Sequence, residues 1–219
     1  MEFKPGILWE YRLFLLQGMA NTAWLALAAQ ALALLLAVPA AVARLRGGAI
    51  ARRVAGGYVE FVRGTPALTQ LFWIFYCIPI FTGLDWSPLW GAVVALGVNV
   101  GAYDAEAFRA GIQGVHFGQV QAARALGLSA WSTFWAVVFP QATRAVLPAL
   151  LNNFIGLLLY TSIASTIGVH ELTYAGGKLN TATFQSVVVF SGVAGLYLVL
   201  SLIASAGVRR LERRQALSD

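Results

Sequence analysis

Hydrophobic residues dominate three long stretches of the chain, and none of the three contains a charged residue. They run over residues 19–43, 145–169 and 184–208. Each is longer than the roughly 20 apolar residues that a helix needs to cross a hydrocarbon core of about 30 Å. Two further apolar stretches carry a few charges near one end. The pattern predicts an all-α integral membrane protein. Its five spanning helices are expected at residues 19–43, 58–80, 89–108, 145–167 and 186–208.

The composition supports insertion into a membrane and excludes several other classes. Apolar residues make up 59% of the 219 positions and charged residues 11%, whereas a soluble domain carries about a quarter charged residues. The first apolar stretch is too long for the 7–15-residue core of a signal peptide, and its basic cluster follows it. One cysteine, Cys77, excludes an internal disulfide and a cysteine-based metal cluster. With no repeat or linker visible, residues 1–219 are expected to form a single transmembrane domain.

The lysines and arginines lie mainly on one side of the predicted spans. Twelve fall on one side and three on the other, which places the N-terminus outside and the C-terminus inside the cell. That arrangement requires an odd number of spans. Because these charges sit in short loops, they indicate membrane orientation rather than a nucleic-acid partner. The inner set is Arg44, Arg46, Arg52, Arg53, Arg63, Arg109, Arg124, Arg144, Arg209, Arg210, Arg213 and Arg214, and the outer set is Lys4, Arg12 and Lys178.

Most of the chain outside the membrane lies in one inward loop, residues 109–144. A loop of this length usually has a function or its own structure. Helical spacing of small residues predicts a short helix that stops at Gly127. Ser129 is expected to cap a second short helix that ends at Pro140. The loop could present a surface to another protein, or it could simply cover the underside of the bundle, and the spacing alone does not choose between them.

Several motifs, in order along the chain, resemble one transporter family. The run Gln121-Ala122-Ala123, followed by Gly127 and Pro140, resembles the EAA loop of binding-protein-dependent ABC importer permeases. The Arg-Gly-Thr-Pro run at residues 63–66 is similar to a signature of the polar amino acid permeases. Further similarities lie at residues 99–111, 139–142, 161–162 and 167–172. The resemblance covers about residues 18–212 and includes histidine, glutamine, glutamate and arginine permease-like proteins.

This resemblance implies a type I ABC importer permease fold in a bacterial inner membrane. It implies a pair of permeases, identical or not, two ATPase subunits that hold ATP and magnesium, and a periplasmic or lipid-anchored amino-acid-binding protein. The chain itself would have no cofactor, and it lacks the Gly-x4-Gly-Lys-Ser/Thr nucleotide motif. Contact with the ATPase would come from Gly118, Gln121, Ala122, Ala123, Leu126, Gly127 and Pro140.

The chain departs from the family pattern at two places. Gln121 stands where glutamate is usual, which removes a charge but keeps an acceptor oxygen. Leu159 and Tyr160 replace a common Lys-Asp pair, so this subunit offers no carboxylate there to a cationic substrate. We therefore expect docking by close packing, and no dedicated arginine or lysine site on this subunit.

A few polar residues are candidates for the substrate pathway. Most are expected to make helix–helix hydrogen bonds, worth about 0.6 kcal/mol each. Two ion pairs at i,i+3 spacing are also expected, Glu60 with Arg63 and Glu106 with Arg109. No metal site is expected at His116 or His170. The pathway candidates are Asn99, Tyr103, Asp104, Thr161 and Ser162.

Two other functions remain alternatives at this point. An ion-coupled secondary transporter would need an inverted repeat and carboxylates at mid-membrane, and the sequence shows neither. A membrane-embedded enzyme would need a catalytic set, and no histidine, cysteine or acidic cluster supplies one. The sequence therefore favours a non-catalytic permease subunit driven by a separate ATPase.

Overall fold

A computed structural model describes residues 6–85 and 87–216, with side chains described as far as residue 207. Throughout that part of the chain the regular secondary structure is helical. Lys4 and the side chains of Arg209, Arg210, Arg213 and Arg214, which the charge count used, lie outside the described residues. The helices are α1 (Gly6–Glu10), α2 (Arg12–Arg46), α3 (Ala49–Arg63), α4 (Ala67–Phe72), α5 (Ile78–Thr82), α6 (Pro88–Gln113), α7 (Phe117–Ala125), α8 (Ala130–Thr133), α9 (Phe139–Tyr160), α10 (Leu172–Thr183) and α11 (Ser186–Ala216).

The centre of the bundle is the contact between α2 and α6. Small residues at three- and four-residue spacing form a buried stripe along α2, including Ala29, Ala33 and Ala37. Gly101 of α6 lies so close that an added Cβ would be 3.1 Å from the carbonyl oxygen of Ala33. Close backbone approach through small residues is the usual way in which membrane helices pack, since apolar burial gives little advantage in lipid.

Three described helical stretches are long and apolar enough to span a membrane. They are Arg12–Arg46, Ala130–Ile167 and Ser186–Gly207. The segment Ala49–Arg63 followed by Ala67–Thr82 would supply a fourth, if its bent halves count as one. Helix α6, at 26 residues, is long enough to cross a membrane. It carries the polar residues Asn99 and Asp104, but both are buried inside the bundle and do not face lipid. A count of five spans therefore remains a prediction.

The predicted second span, residues 58–80, consists of two helical segments joined by a sharp bend near its start. Helix α3 ends at Arg63, and the chain turns by 110° before continuing through Ala67–Thr82. Pro66 causes the break because it lacks an N–H and disfavours a helical residue before it. Gln70 stabilises the corner, since its side-chain nitrogen donates to the carbonyl oxygen of Val62 at 2.7 Å and to the hydroxyl of Thr65 at 2.7 Å.

The prediction that Pro140 ends a helix is wrong. Helix α8 continues through a π-helical turn, Phe134–Val138, directly into α9. Pro140 sits in the first turn of α9, directly after the π turn. Pro140 has no N–H to donate, and the irregular hydrogen bonding of a π turn accommodates this gap. Ala130 to Ile167 is therefore one helical stretch, and the fourth predicted span, 145–167, is only its later part.

Helix α10 lies between the last two predicted spans and was not expected. Glu171 begins it, accepting hydrogen bonds from the backbone N–H groups of Thr173 at 2.8 Å and Tyr174 at 2.7 Å. Gly18 of α2 packs against the start of α10, where an added Cβ would be 3.0 Å from the Cα of Leu172. This helix is thereby fixed against the opposite end of α2 from Arg44.

Candidate functional site

Helix α7, in the inward loop, is closed at both ends by local hydrogen bonds. His116 caps its start, with Nδ1 accepting from the N–H of Gly118 at 3.1 Å. At its end, the N–H of Gly127 donates to the carbonyl oxygen of Arg124 at 3.0 Å, and the N–H of Leu128 donates to the carbonyl oxygen of Ala123 at 3.2 Å. These two bonds form a Schellman motif, which requires the left-handed φ of +81° at Gly127. The predicted stop at Gly127 is confirmed.

The outer face of α7 is free in this subunit. Gln121 and Ala122 are exposed, and so is Gly118 at its start. Ala123 faces inward and is buried, whereas Leu126 at the end of the helix is 81% exposed. An exposed leucine beside small residues suits a partner's groove better than a layer that covers the bundle.

Helix α8 joins this exposed helix to the membrane bundle. Ser129 caps α8 as expected, its hydroxyl accepting from the N–H of Ser132 at 3.1 Å. Aromatic rings then follow the helix toward α9, with Trp131 and Trp135 centred 5.5 Å apart and Trp135 and Phe139 4.7 Å apart. Helix α8 runs into α9 without a loop, and only residues 126–129 separate this long helical stretch from α7.

An ion-pair network ties the neighbouring ends of α2 and α6. Glu106 binds Arg109 on its own helix and also accepts from Arg44 of α2 at 2.5 Å. Arg46 lies over the ring of Phe134 at 5.2 Å, next to α8. These contacts bring one end of α2, one end of α6 and the α8 region together. Three arginines that the charge pattern assigned to the inner side, Arg44, Arg46 and Arg109, therefore lie at one end of the bundle.

The expected pair of Glu60 with Arg63 does not form among the described residues. Arg63 instead places its guanidinium 5.2 Å from the centre of the Tyr103 ring on α6. Because α3 ends at Arg63, the side chain reaches across the corner rather than back along its own helix. Arg63 therefore joins α3 to α6, and Glu60 is exposed.

Three of the five pathway candidates are buried inside the subunit. Asn99 donates to the side-chain oxygen of Gln70 at 3.0 Å, and Thr161 donates to the carbonyl oxygen of Leu158 at 2.7 Å. Asp104 is completely buried and accepts from two amides. All three side chains are therefore engaged in hydrogen bonds within the subunit. Tyr103 is 38% exposed and Ser162 is partly exposed, so these two remain candidates.

The polar partners of these residues were less evident from the sequence. Gln30 donates to Asp104 at 2.6 Å from α2, and Asn153 donates to it at 2.9 Å from α9. An amide isolated within an uncharged apolar stretch is the only sequence signal of Gln30. Its role depends on which face of α2 meets α6, and the stripe of small residues described above decides that face.

Glu171 is a second buried carboxylate that the sequence did not single out. Besides capping α10, it accepts from the hydroxyl of Tyr197 on α11 at 2.6 Å. Burial raises the pKa of Glu171, and the hydrogen bonds from Tyr197 and the α10 backbone oppose that rise. Within the described residues no group of three histidine, cysteine or acidic side chains could hold a metal ion.

Comparison with known proteins shows relatives over nearly the whole chain. The glutamine transport system permease protein GlnP of Escherichia coli (strain K12) is 37% identical over 218 residues, covering 99% of this chain and all of the relative. The nopaline transport system permease protein NocM of Agrobacterium fabrum is 37% identical over 200 residues, covering 87% of this chain and 83% of the relative.

Solved structures agree with this similarity. A chain of an amino acid ABC transporter crystallised with histidines superposes with a TM-score of 0.92 at 33% identity, covering 98% of this chain and all of that one. A chain of the inward-facing MetNI methionine ABC transporter has a TM-score of 0.80 at 19% identity, with 94% and 98% covered, and shows the fold alone. The family described as "Binding-protein-dependent transport system inner membrane component" matches residues 13–217. The chain therefore belongs to this family and is a membrane permease subunit of an ABC importer with the type I permease fold.

Proposed function

We propose that this permease takes up polar amino acids that a binding protein delivers, and that α7 is its contact with the ATPase. The observation that carries the proposal is an exposed helix, capped at both ends and separated by only residues 126–129 from the helical stretch Ala130–Ile167. Such a helix can receive a movement from a partner and pass it to the bundle. The residues offered to the partner are Gly118, Gln121, Ala122, Leu126 and Gly127, with Ala123 supporting them from behind and Pro140 at the start of α9.

Docking would depend on shape more than on charge. Gln121 carries no charge, and Ala122 beside it allows a partner's backbone to approach closely. Leu126 supplies an exposed apolar anchor at the end of the helix. A buried apolar anchor within a ring of weaker contacts is typical of protein–protein interfaces. The partner is an ATPase subunit because this chain lacks a nucleotide-binding motif and its family works with one.

The expected topology has five spans, with the N-terminus outside and the C-terminus inside. The gathering of Arg44, Arg46 and Arg109 at the α7 end of the bundle supports it, since arginines concentrate on the cytoplasmic side. Helix α10, which carries Lys178, lies toward the other end of α2, where it meets Gly18. A binding protein would therefore meet the α10 end, and the ATPase would meet the α7 end.

Selection of the substrate in the membrane would fall to uncharged groups. Leu159 and Tyr160 are exposed where related permeases carry a charged pair, and Tyr103 and Ser162 offer hydroxyls. The substrate pathway would lie at the seam with a second permease, because the polar candidates within this subunit are largely buried. Related permeases are named for glutamine, octopine and nopaline transport, and a neutral polar amino acid fits the absence of a carboxylate.

One reconstitution tests this function. The chain is purified with its partner permease, ATPase and binding protein, placed in liposomes, and assayed for ATP hydrolysis with and without glutamine. We expect an ATPase that co-elutes with the chain and whose turnover rises when binding protein and glutamine are added. Uptake by this chain alone on an ion gradient, without any ATPase, would show instead an ion-coupled secondary transporter.

A further inference from the structure

An open apolar cleft of about 890 Å³ lies between the inner half of α2 and the helix α3. Its walls include Leu36 and Ala40 of α2 and Ala51, Val54 and Tyr58 of α3. The hydroxyl of Tyr58 is already used, since it donates to the carbonyl oxygen of Val98 at 2.7 Å. The cleft therefore offers almost no polar group to an occupant, which points to a hydrocarbon chain.

Helix α3 has the form of a helix that lies at a membrane surface. Its inner face packs on the bundle through Ala55, Val59 and Val62, which are buried. Ile50 and Val54, four residues apart and so on one side of the helix, are 80% and 68% exposed. A helix with exposed apolar residues beside arginines is suited to the boundary between headgroups and acyl chains.

Positive charge lies at one end of the cleft. Arg52 donates to the carbonyl oxygen of Gly47, next to the cleft residue Gly48, at 3.2 Å through one nitrogen, which leaves its other donors available. Arg53 is exposed on the same turn of α3 and does not itself line the cleft. Among the described residues Arg53 has no polar partner. Glu60, the acidic residue of α3, lies seven positions further along the helix.

We propose that this cleft holds an anionic phospholipid, with an acyl chain against Leu36, Ala40 and Val54 and the headgroup phosphate on Arg52 and Arg53. Basic pockets between membrane helices on the cytoplasmic side are suited to anionic headgroups, and the aliphatic stem of each arginine covers apolar surface as well. The assignment to the inner leaflet rests on the proposed topology. The occupant would fix the angle between α3 and α2, and hence the corner at Pro66.

The test uses the full complex of permeases and ATPase, extracted from vesicles of equal parts phosphatidylglycerol and phosphatidylcholine. Native mass spectrometry counts each lipid retained per complex. We expect phosphatidylglycerol to be retained in preference to phosphatidylcholine. Replacing one arginine, R53Q, is expected to lower that preference about fivefold, and R52Q/R53Q by about twentyfold. Lys178→Gln is the matched control. It removes a cation from α10, away from the cleft, and is expected to leave the preference for phosphatidylglycerol unchanged.

A cleft-filling variant separates acyl-chain binding from simple charge attraction. Ala51→Phe places a ring in the cleft from an exposed position, so the core is undisturbed, and it is expected to release phosphatidylglycerol while both arginines remain. Equal retention of the two lipids in the unaltered complex, or retention of phosphatidylglycerol in both R52Q/R53Q and Ala51→Phe, would overturn the proposal and show that protein covers the cleft. Co-elution of the ATPase is scored in the same samples, so a failure of the proposed function is seen separately from a failure of lipid binding.

Discussion

Gln30 on α2 donates a 2.6 Å hydrogen bond to Asp104 on α6, and the other carboxylate oxygen of Asp104 accepts from Asn153 on α9 at 2.9 Å. One fully buried carboxylate thus joins three helices of the bundle. Buried polar groups of this kind are costly to leave unpaired, so the junction specifies how α2, α6 and α9 meet. It gives Asp104 a structural role in place of the pathway role that the sequence suggested.

Replacing Asp104 by leucine is expected to destabilise the protein by about 1–3 kcal/mol, because two buried amides lose their acceptor. Asp104→Asn is the matched control. Gln30 has a buried side-chain oxygen without a hydrogen-bond partner, and rotation of its amide would let that oxygen accept from the new asparagine. Thermal unfolding of the purified complex measures both variants. An equal loss of stability in the two would contradict this role for the amides.

Gly127 is expected to tolerate asparagine far better than valine. Its φ of +81° costs an ordinary L-residue about 1–2 kcal/mol, whereas asparagine adopts the left-handed region more easily. Gly127→Val should therefore loosen the end of α7 and reduce ATPase co-purification strongly, and Gly127→Asn only slightly.

Gly127→Trp adds a bulky side chain at the same strained position and should abolish the coupling of ATP hydrolysis to the permease. Gln121→Glu should change that coupling only modestly. Stimulated ATP hydrolysis is the measurement, and normal coupling in Gly127→Trp would show that α7 does not dock there.

His116 is expected to matter to α7 through its side-chain acceptor. His116→Ala leaves the N–H of Gly118 without its capping partner, and loss of a helix cap costs about 1 kcal/mol. His116→Asn restores an acceptor at the same position and serves as the control. Hydrogen exchange of the α7 amides should rise in the alanine variant and stay near the original in the asparagine variant. Faster exchange in both would mean that the imidazole acts by packing rather than by capping.

The contact between Gly111 on α6 and Val146 on α9 should respond to paired substitutions. A Cβ on residue 111 would lie 2.2 Å from Cγ2 of Val146, so Gly111→Ala must separate the two helices near the inner loop. Overpacking of this kind costs about 1–3 kcal/mol. Val146→Ala removes the clashing methyl group, and the double variant should recover most of the lost stability. Additive losses in the double-mutant cycle would contradict this contact.

Glu171 is expected to make stability depend on pH. Burial raises its pKa in the folded protein above the ordinary value of 4.5, so the folded state binds the proton more tightly than the unfolded state does. Stability is therefore greatest below that ordinary value and falls as the pH rises through the raised value. Glu171→Gln cannot titrate, and its melting temperature should vary less with pH over this window. An unchanged pH profile in Glu171→Gln would assign the dependence to another group.

The sequence predicted the helical class and the stop at Gly127 because each depends on local features. Long apolar stretches without charge specify membrane helices, and a glycine after a short helical pattern specifies its end. Pro140 was misjudged, because the helix continues past it through a π turn, whereas Pro66 breaks a helix at a corner that Gln70 stabilises.

The polar residues show the same limit more clearly. The sequence indicated that Asn99, Asp104 and Thr161 lie within the bundle, but not which face of each helix they occupy. Their burial follows from the close packing of α2 on α6, which small residues such as Ala33 and Gly101 permit.

The sequence by itself determined that this chain is a membrane-embedded permease subunit, since hydropathy, charge placement and ordered motifs are properties of the chain alone. Only the tertiary structure decided that Asp104 and Glu171 serve helix junctions and that Arg63 turns to Tyr103 rather than to Glu60. It likewise decided that α8 and α9 are one helix. These outcomes depend on distances between residues far apart in sequence, and helix packing sets those distances.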